Sequence, residues 1–269
     1  MRVLSLGGGV QSTTLLLMAI TEQIEPLDAA IFADTGWEPA AVYEHMDWLR
    51  GKCERAGLPL LTVSGGNLRT DVLARTASGR SVAQLPFHLA VEDRNTGTGH
   101  GILRRNCTRD YKIVPIQRQL RALAGMTGKR WRGEPVEQWL GISYDEVGRM
   151  RDSRDKWIML RYPLVERRMR RSDCVTWLES NGFPTPPKSA CIGCPFHGDA
   201  TWQMMRRDRP GEFADAVAFD AAARTLPGLR SLTYLHRSLL PLADVDLSTP
   251  AERGQASLFD LECEGHCGI

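Results

Sequence analysis

Short apolar runs alternate with amphipathic stretches through the first part of the chain. The apolar runs predict buried strands at 2–6, 28–33 and 58–63, and the amphipathic stretches predict helices at 12–21 and 40–56. Pro39 stands at the start of the second helix and Gly57 just past its end, as helix boundaries prefer. Strand and helix alternating at this spacing predict an α/β fold with an open, mostly parallel sheet and helices on both faces.

The pattern weakens after residue 64. The stretch 64–104 is rich in Gly, Ser, Thr and Asn and predicts loops around short helices, whereas 113–124 predicts a helix and 139–142 a further buried strand. The chain turns proline-rich after 181 and then predicts a helix over about 199–224. We therefore expect three parts: an α/β domain at 1–180, a small helical region at 181–246 and a flexible tail at 247–269.

Composition sets the broad class of protein. Hydrophobic residues make up 42% of the chain and charged residues 25%, which is typical of a globular protein. With 34 basic and 32 acidic residues the net charge is +2, so global charge gives no case for nucleic-acid or membrane binding. No apolar run approaches the length of a membrane span, and no secretion leader precedes the first strand. We expect a cytoplasmic protein that does not bind membranes.

A glycine-rich turn joins the first strand to the first helix. Gly7, Gly8 and Gly9 allow the backbone to approach a phosphate closely, and Ser12 and Thr13 add hydroxyls at a helix N-terminus. The turn lacks the Gly-Lys-Ser/Thr of a Walker loop and the Gly-x-Gly-x-x-Gly of a dinucleotide site. By itself it predicts either a phosphate site or a plain tight turn.

Four separated motifs resemble one superfamily. Residues 5–12 (Ser-Leu-Gly-Gly-Gly-Val-Gln-Ser) resemble the pyrophosphate loop of the N-type ATP pyrophosphatases, also called adenine nucleotide alpha hydrolases or PP-loop proteins. Asp34-Thr35-Gly36, the segment 140–149 and the segment 161–184 resemble the phosphoadenylylsulfate (PAPS) reductase branch of that superfamily. The resemblance implies that the protein binds an adenine nucleotide, either ATP or an adenylylated nucleotide. It leaves open whether Mg²⁺ binds with the nucleotide.

The resemblance also implies which residues contact the nucleotide. They are Ser5, Gly7, Gly8, Gly9, Gln11, Ser12, Thr13, Asp34 and Gly141. Gln11 stands where the superfamily loop carries Asp, which weakens the case for pyrophosphate cleavage more than the case for nucleotide binding. Asp34 has an alternative role as a helix N-cap.

Seven cysteines in a chain without a secretion signal indicate metal or thiol chemistry rather than disulfides. Cys191 and Cys194 form a Cys-x-x-Cys, and the segment around Cys107 resembles the first ligand segment of iron–sulfur adenylylsulfate reductases, with Asn106 replacing one cysteine of its pair. The resemblance implies a 4Fe-4S cluster held by Cys107, Cys191 and Cys194. The fourth position is filled from elsewhere or left open.

The tail cysteines supply two candidates. Cys267-Gly268-Ile269 resembles the core of the reductases' mobile C-terminal motif, which implies Cys267 as nucleophile, and Cys263 is the candidate fourth ligand or resolving thiol. The alternative is a tail whose cysteines are incidental. Cys53 and Cys174 lie on predicted helices, and we expect them to be core thiols.

The segment 149–171 holds nine Lys or Arg against three acids. Such a stretch suits a small anionic substrate, a nucleic-acid backbone or a solvated surface. Three functions therefore stay open: a PAPS or adenylylsulfate reductase, an ATP-dependent sulfurtransferase of the tRNA-thiolation or DNA-phosphorothioation type, and a non-enzymatic nucleotide- or redox-sensing module. A thiol or ferredoxin-type electron donor, a nucleic acid and a second copy of the chain are the partners considered.

Overall fold

The computed structural model describes residues 1–77, 85–91, 99–128, 133–226, 231–248 and 252. The strands are β1 (Arg2–Leu6), β2 (Ala29–Asp34), β3 (Leu60–Ser64), β4 (His88–Val91), β5 (Gly99–Ile102), β6 (Val136–Leu140), β7 (Ile158–Arg161) and β8 (Thr233–Tyr234). The α-helices are α1 (Val10–Ile20), α2 (Ala40–Arg55), α3 (Leu68–Ala77), α4 (Val114–Leu123), α5 (Pro163–Glu166), α6 (Arg171–Ser180), α7 (Asp199–Asp208) and α8 (Pro210–Ala222). Two 3₁₀ helices span Tyr144–Arg149 and Leu242–Asp244, and a π-helix spans Thr108–Ile113.

A parallel sheet of five strands, in the order β3-β2-β1-β6-β7, forms the centre of the fold. One face carries Leu4, Phe32 and Trp139 and packs on α1, α2 and α6, whereas the other carries Val3 and Ile31 and packs on α4. Both faces are covered, which is why the strands read as continuous apolar runs. The predicted α/β class with helices on both faces is confirmed.

A second core lies beside the first and belongs to no single stretch of the chain. Strands β5, β4 and β8 form an antiparallel sheet, which joins residues 88–102 to residues 233–234. Its apolar cluster combines Trp37 and Phe87 with Trp202 and Phe219, all fully or almost fully buried. The helical region after residue 181 therefore shares its core with residues that precede it.

The structure differs from the sequence prediction in three places. The stretch 64–104 contains α3 and the paired strands β4 and β5 rather than loops around short helices alone. The helix predicted over 199–224 is two helices, because Pro210 has no N–H to continue the first one. Strand β7 was not predicted. Of the predicted tail, 247–269, only Leu247, Ser248 and Glu252 are described, and Leu247 is fully buried.

No helix within the described ranges is long and apolar enough to cross a bilayer.

Candidate functional site

The first strand leads into α1 through a tight glycine loop, Gly7–Gly9. Gly8 has a φ of +73°, a left-handed conformation that glycine adopts without strain. The Ser12 hydroxyl closes the loop, because it accepts from the Gly7 amide at 3.1 Å and donates to the Gly9 carbonyl at 3.3 Å. Ser189 donates to the Gly7 carbonyl oxygen. The loop backbone is thus held at the N-terminus of α1, where unpaired N–H groups favour an anion.

A cavity of about 610 Å³ opens between the glycine loop and the carboxyl end of β6. We call it the switch cavity, because β1 pairs with β2 on one side and with β6 on the other, so the strand order reverses there. Open α/β sheets bind ligands in the crevice at such a switch point. The predicted phosphate loop therefore lies where this class of fold holds a ligand.

Gly141 fixes the spacing between the two strand ends. It follows β6 and lies against the first turn of α1, where a Cβ would be 2.7 Å from Ser12 N and 2.9 Å from Ser12 Cα. Both neighbours are backbone atoms and cannot rotate away. Only glycine allows this approach, which brings the end of β6 directly against the phosphate loop.

The walls of the switch cavity are strongly cationic. Five basic side chains line it against one carboxylate, Glu146: they are Lys112, Arg149, Arg171, Lys188 and Arg209. Neighbours orient several of them: Lys188 donates to Thr201 Oγ1 at 3.1 Å, Arg209 pairs with Glu212 at 2.8 Å, Arg149 pairs with Glu146 and Lys112 lies 3.7 Å from Glu38. This excess suits a ligand with several negative charges, such as a polyphosphate.

Gln11 bridges the two sides of the cavity. Its Nε2 donates to Glu146 Oε2 at 3.2 Å, and Glu146 also pairs with Arg149. An aspartate at position 11 would face the Glu146 carboxylate, and like charges at this distance repel. Gln11, which replaces the Asp of the superfamily motif, is thus hydrogen-bonded in this chain to a carboxylate from the segment after β6.

Six of the nine predicted nucleotide-binding residues line the switch cavity: they are Ser5, Gly7, Gly9, Gln11, Ser12 and Gly141. Gly8, Thr13 and Asp34 are not among the lining residues. Thr13 is buried, with Oγ1 3.1 Å from Nε2 of His45, whose pKa burial lowers to about 4. Asp34 orders the turn after β2 rather than facing the cavity, because its Oδ1 accepts from the Gly36 amide at 2.7 Å and from the Tyr43 hydroxyl at 2.9 Å.

Cys191 and Cys194 occupy a tight turn beside the second core. Both are buried, and the Cys194 amide donates to the Cys191 carbonyl at 3.1 Å. The turn packs on Trp37, since the Ile192 amide donates to the Trp37 carbonyl at 3.0 Å. A Cβ at Gly193 would lie 2.0 Å from the Trp37 indole, so this position has room only for glycine.

Cys107 packs against the same apolar cluster as Cys191, at the start of the π-helix, and is partly exposed. All three predicted ligand thiols are free of disulfides. Three soft thiolates select iron–sulfur clusters or zinc over hard cations, so the chemistry of the donor set fits a cluster. In the described ranges no three His, Cys, Asp or Glu side chains are grouped to hold a single metal ion.

A buried carboxylate, Glu38, contacts the cysteine turn. Its Oε1 accepts from the Thr35 hydroxyl at 3.0 Å, lies 3.5 Å from Cys191 Sγ and lies 3.7 Å from Lys112 Nζ. Its Oε2 is buried, and the described residues offer it no hydrogen-bond partner. Thr35 Oγ1 is also 3.3 Å from the same sulfur. Because Lys112 lines the switch cavity, this chain of contacts joins the cavity to the cysteine turn.

Cys53 and Cys174 are core thiols, as predicted. Both are fully buried in helices, and burial raises the pKa of Cys53 to about 11 and that of Cys174 to about 12. They are therefore protonated and unreactive at neutral pH. The tail candidates Cys263 and Cys267 lie outside the described residues.

Two histidines contact backbone carbonyls of the cysteine turn and the residue after it. His197 contacts the Cys191 carbonyl through Nε2 at 2.9 Å, and burial lowers its pKa to about 4. His88 Nε2 lies 3.0 Å from the Pro195 carbonyl oxygen, and its Nδ1 lies 2.9 Å from Nε2 of His100. Sequence reasoning assigned nothing to His88 and His100, because their proximity depends on the unpredicted pairing of β4 with β5.

Sequence reasoning also missed Lys188, Ser189, Arg209 and Glu38. Lys188 and Ser189 lie three and two residues before Cys191, so the Cys-x-x-Cys motif could have pointed to them. Arg209 and Glu38 carry no such signal, since tertiary packing alone brings them to the site.

No protein-family model matches the chain, and no curated protein matches it. Among solved structures, the U34-tRNA thiolase NcsA from Methanococcus maripaludis, with its [4Fe-4S] cluster, is similar to this chain. The two are 12% identical with a TM-score of 0.39, and the match covers 90% of this chain and 78% of that one. At these values the fold class rests on the sheet topology described above.

Proposed function

We propose that this protein is an ATP-dependent sulfurtransferase that places sulfur on a nucleic acid, with a 4Fe-4S cluster held by Cys107, Cys191 and Cys194. The observation that carries the proposal is the contact chain from Lys112, in the switch cavity, through Glu38 to Cys191. A nucleotide site and a thiol site that share one buried carboxylate suit a reaction that uses both.

The nucleotide's part is activation of the acceptor. An oxygen of the acceptor attacks the α-phosphorus of ATP, and pyrophosphate leaves. A hydrosulfide ion then attacks the activated carbon or phosphorus, and AMP leaves with the original oxygen and its bonding pair. No electrons are gained or lost overall, so this scheme needs a sulfide source and no reductant.

Residues of the switch cavity suit the first step. Amides at the start of α1 lie where they can bind phosphate oxygens, and Lys112, Lys188 and Arg209 lie where they can balance the charge of departing pyrophosphate. Glu146 lines the cavity as a carboxylate and would bind Mg²⁺ only by giving up its contacts with Gln11 and Arg149.

The cysteine turn serves the second step. A cluster held by three thiolates would supply an iron position open to an external sulfur ligand. Thr35 Oγ1 lies 3.3 Å from Cys191 Sγ while its proton is donated to Glu38, and Lys112 offsets the charge of Glu38 beside the sulfur.

The experiment is anaerobic reconstitution followed by incubation with ATP, labelled sulfide and bulk tRNA or duplex DNA, with thionucleosides measured by mass spectrometry after digestion. We expect label in one nucleic acid, dependent on ATP and lost with α,β-methylene ATP, whose bridge cannot be cleaved. Lys188→Ala should lose activity, whereas Lys156→Ala, an exposed lysine that does not line the cavity, should not. A brown, ATP-binding protein that labels neither nucleic acid would refute the proposal.

The sequence feature Cys267-Gly268-Ile269 favours a second candidate, an adenylylsulfate or PAPS reductase. There the Cys267 thiolate attacks the sulfate sulfur and the nucleotide leaves. A second thiol then attacks the S-sulfonated cysteine, which releases sulfite and leaves a disulfide for an external thiol or ferredoxin-type donor to reduce. Sulfite release from adenylylsulfate or PAPS with excess dithiol distinguishes this reaction from the sulfurtransferase.

A further inference from the structure

The segment Tyr144–Arg149 borders the switch cavity, and its backbone is non-helical at Glu146, where φ is −108° and ψ is 16°. Glu146 and Arg149 line the cavity. Tyr144, Val147 and Met150 do not line it and are 43%, 49% and 39% exposed. We call these three residues the apolar strip.

Exposed cations lie near the apolar strip along the chain. The Tyr144 amide donates to the Met169 carbonyl at 2.8 Å, which brings the backbone of 168–170 beside the strip, and the side chains of Arg168 and Arg170 are exposed. Arg151 and Arg154 follow Met150 in the chain and are also exposed. In the part of the chain that the structure describes, no ion pair is found for Arg151, Arg154 or Arg168.

Acids near the apolar strip balance only part of this charge. Asp145 and Asp173 accept from the backbone amides of Arg171 and Arg170 at 3.1 Å and 2.7 Å and keep their negative charges. Glu166 pairs with Arg161 at 3.0 Å, and Asp152 is exposed between Arg151 and Arg154 in the chain. Over 144–173 nine Lys or Arg stand against six Asp or Glu, so the net charge of this segment is positive.

An aromatic ring, flanking apolar side chains and free cations are the elements that bind unpaired nucleotides. Bases stack on an aromatic side chain, and arginines hold the phosphates on either side. A duplex keeps its bases stacked on each other, so it offers nothing to the ring. A purely apolar protein partner would gain nothing from the arginines.

We infer that the apolar strip binds an unpaired segment of nucleic acid, with one base on the Tyr144 ring and phosphates at Arg151 and Arg168. The next nucleotide would then face Glu146, Arg149 and the switch cavity. This inference rests on the proposed function, since it identifies where its acceptor binds, and it narrows the acceptor to a single-stranded region.

Fluorescence anisotropy with a labelled RNA of about 12 nucleotides, single-stranded or annealed to its complement, tests the inference on the full chain. We expect the single strand to bind more tightly than the duplex. Tyr144→Ala should weaken binding about tenfold, and Tyr144→Phe, which keeps the ring, should retain it. Arg151→Ala should weaken binding and make its salt dependence shallower. Leu240→Ala and Arg118→Ala, at exposed positions on other segments, are the matched controls.

Three results would overturn the inference: equal binding by wild type and Tyr144→Ala, loss in Tyr144→Phe as large as in Tyr144→Ala, or preference for the duplex. A concentration-dependent dimer that Val147→Glu dissociates, in a protein that binds no RNA, would show the strip to be a contact between copies and also overturn it. ATP affinity and iron content should be unchanged in Tyr144→Ala. If the single strand binds through Tyr144 but receives no sulfur, the proposed function fails and this inference stands.

Discussion

Replacing Gly141 by alanine tests whether the end of β6 and the start of α1 are held together as tightly as the structure has them. The new Cβ would lie 2.7 Å from Ser12 N, 2.9 Å from Ser12 Cα and 3.0 Å from Ser12 Cβ. Ordinary contact needs about 3.4 Å or more, so the two segments must separate by several tenths of an ångström. Overpacking of this kind costs roughly 1–3 kcal/mol of folding free energy.

The same displacement should reduce nucleotide affinity, because the amides of the phosphate loop move relative to the opposite wall. A tenfold weaker Kd corresponds to about 1.4 kcal/mol, and we expect at least that for ATP. Urea unfolding should show a lower midpoint with an unchanged slope, and calorimetry should show the weaker ATP binding.

Gly148→Ala is the matched control, since Gly148 lies in the 3₁₀ helix nearby and a Cβ there meets nothing within 4 Å. Gly7→Ala tests the reasoning further, because its Cβ would meet only Ser12 Oγ at an ordinary 3.7 Å. If Gly141→Ala matches Gly148→Ala in both urea midpoint and ATP affinity, the close approach of β6 to α1 is wrong.

Three further predictions concern the thiols and one histidine. Serine at Cys107, Cys191 or Cys194 should remove the visible absorption of the anaerobically reconstituted protein and lower its iron and sulfide content; one zinc and no acid-labile sulfide would mean a zinc site instead. Cys263→Ser should lower cluster occupancy, because Glu262 and Glu264 disfavour a free thiolate at position 263 and iron binding would offset that cost. Cys267→Ser should keep the cluster and, if the reductase reaction operates, lose sulfite release. If removal of residues 262–269 changes neither iron content nor sulfite release, the tail has no role in either. Burial lowers the pKa of His45 from its ordinary 6.5 to about 4, so the unfolded chain binds more protons between these values and stability should fall as pH drops from 6.5 to 4. His45→Gln should lose that component of the pH dependence of the urea midpoint, and parallel curves for wild type and variant would contradict the assignment.

The strongly patterned part of the fold could be predicted from the sequence. Strands β1 and β2 are apolar because both sheet faces are covered there, and the glycine loop follows from the need for Gly8 at φ +73°. The pair β4–β5 was not predicted, because strands of four residues are too short to show a clear hydrophobic period.

Half of the candidate site follows from motif and half from packing. The loop motif singled out Ser5, Gly9 and Ser12, which line the switch cavity. It could not distinguish Asp34 as a turn residue from Asp34 as a ligand contact, because both roles follow a strand end. Lys188 and Arg209 approach the cavity only because the second core folds residues after 181 back onto the first.

The segment after β2 explains why the two halves of the site are hard to separate in sequence. Asp34 shapes its turn, Trp37 fills the space left by Gly193, and Glu38 lies within 3.7 Å of both Cys191 Sγ and Lys112 Nζ. These residues carry no metal motif and no phosphate motif, yet a shift in this segment changes the cysteine turn and the cavity wall together. Glu38→Gln keeps the shape and removes the charge beside Cys191, so it changes the electrostatics of the thiol site without disturbing the packing of Trp37. Any change in ATP affinity in that variant must then pass through Lys112, which makes Glu38 the position where dependence of one site on the other is measurable.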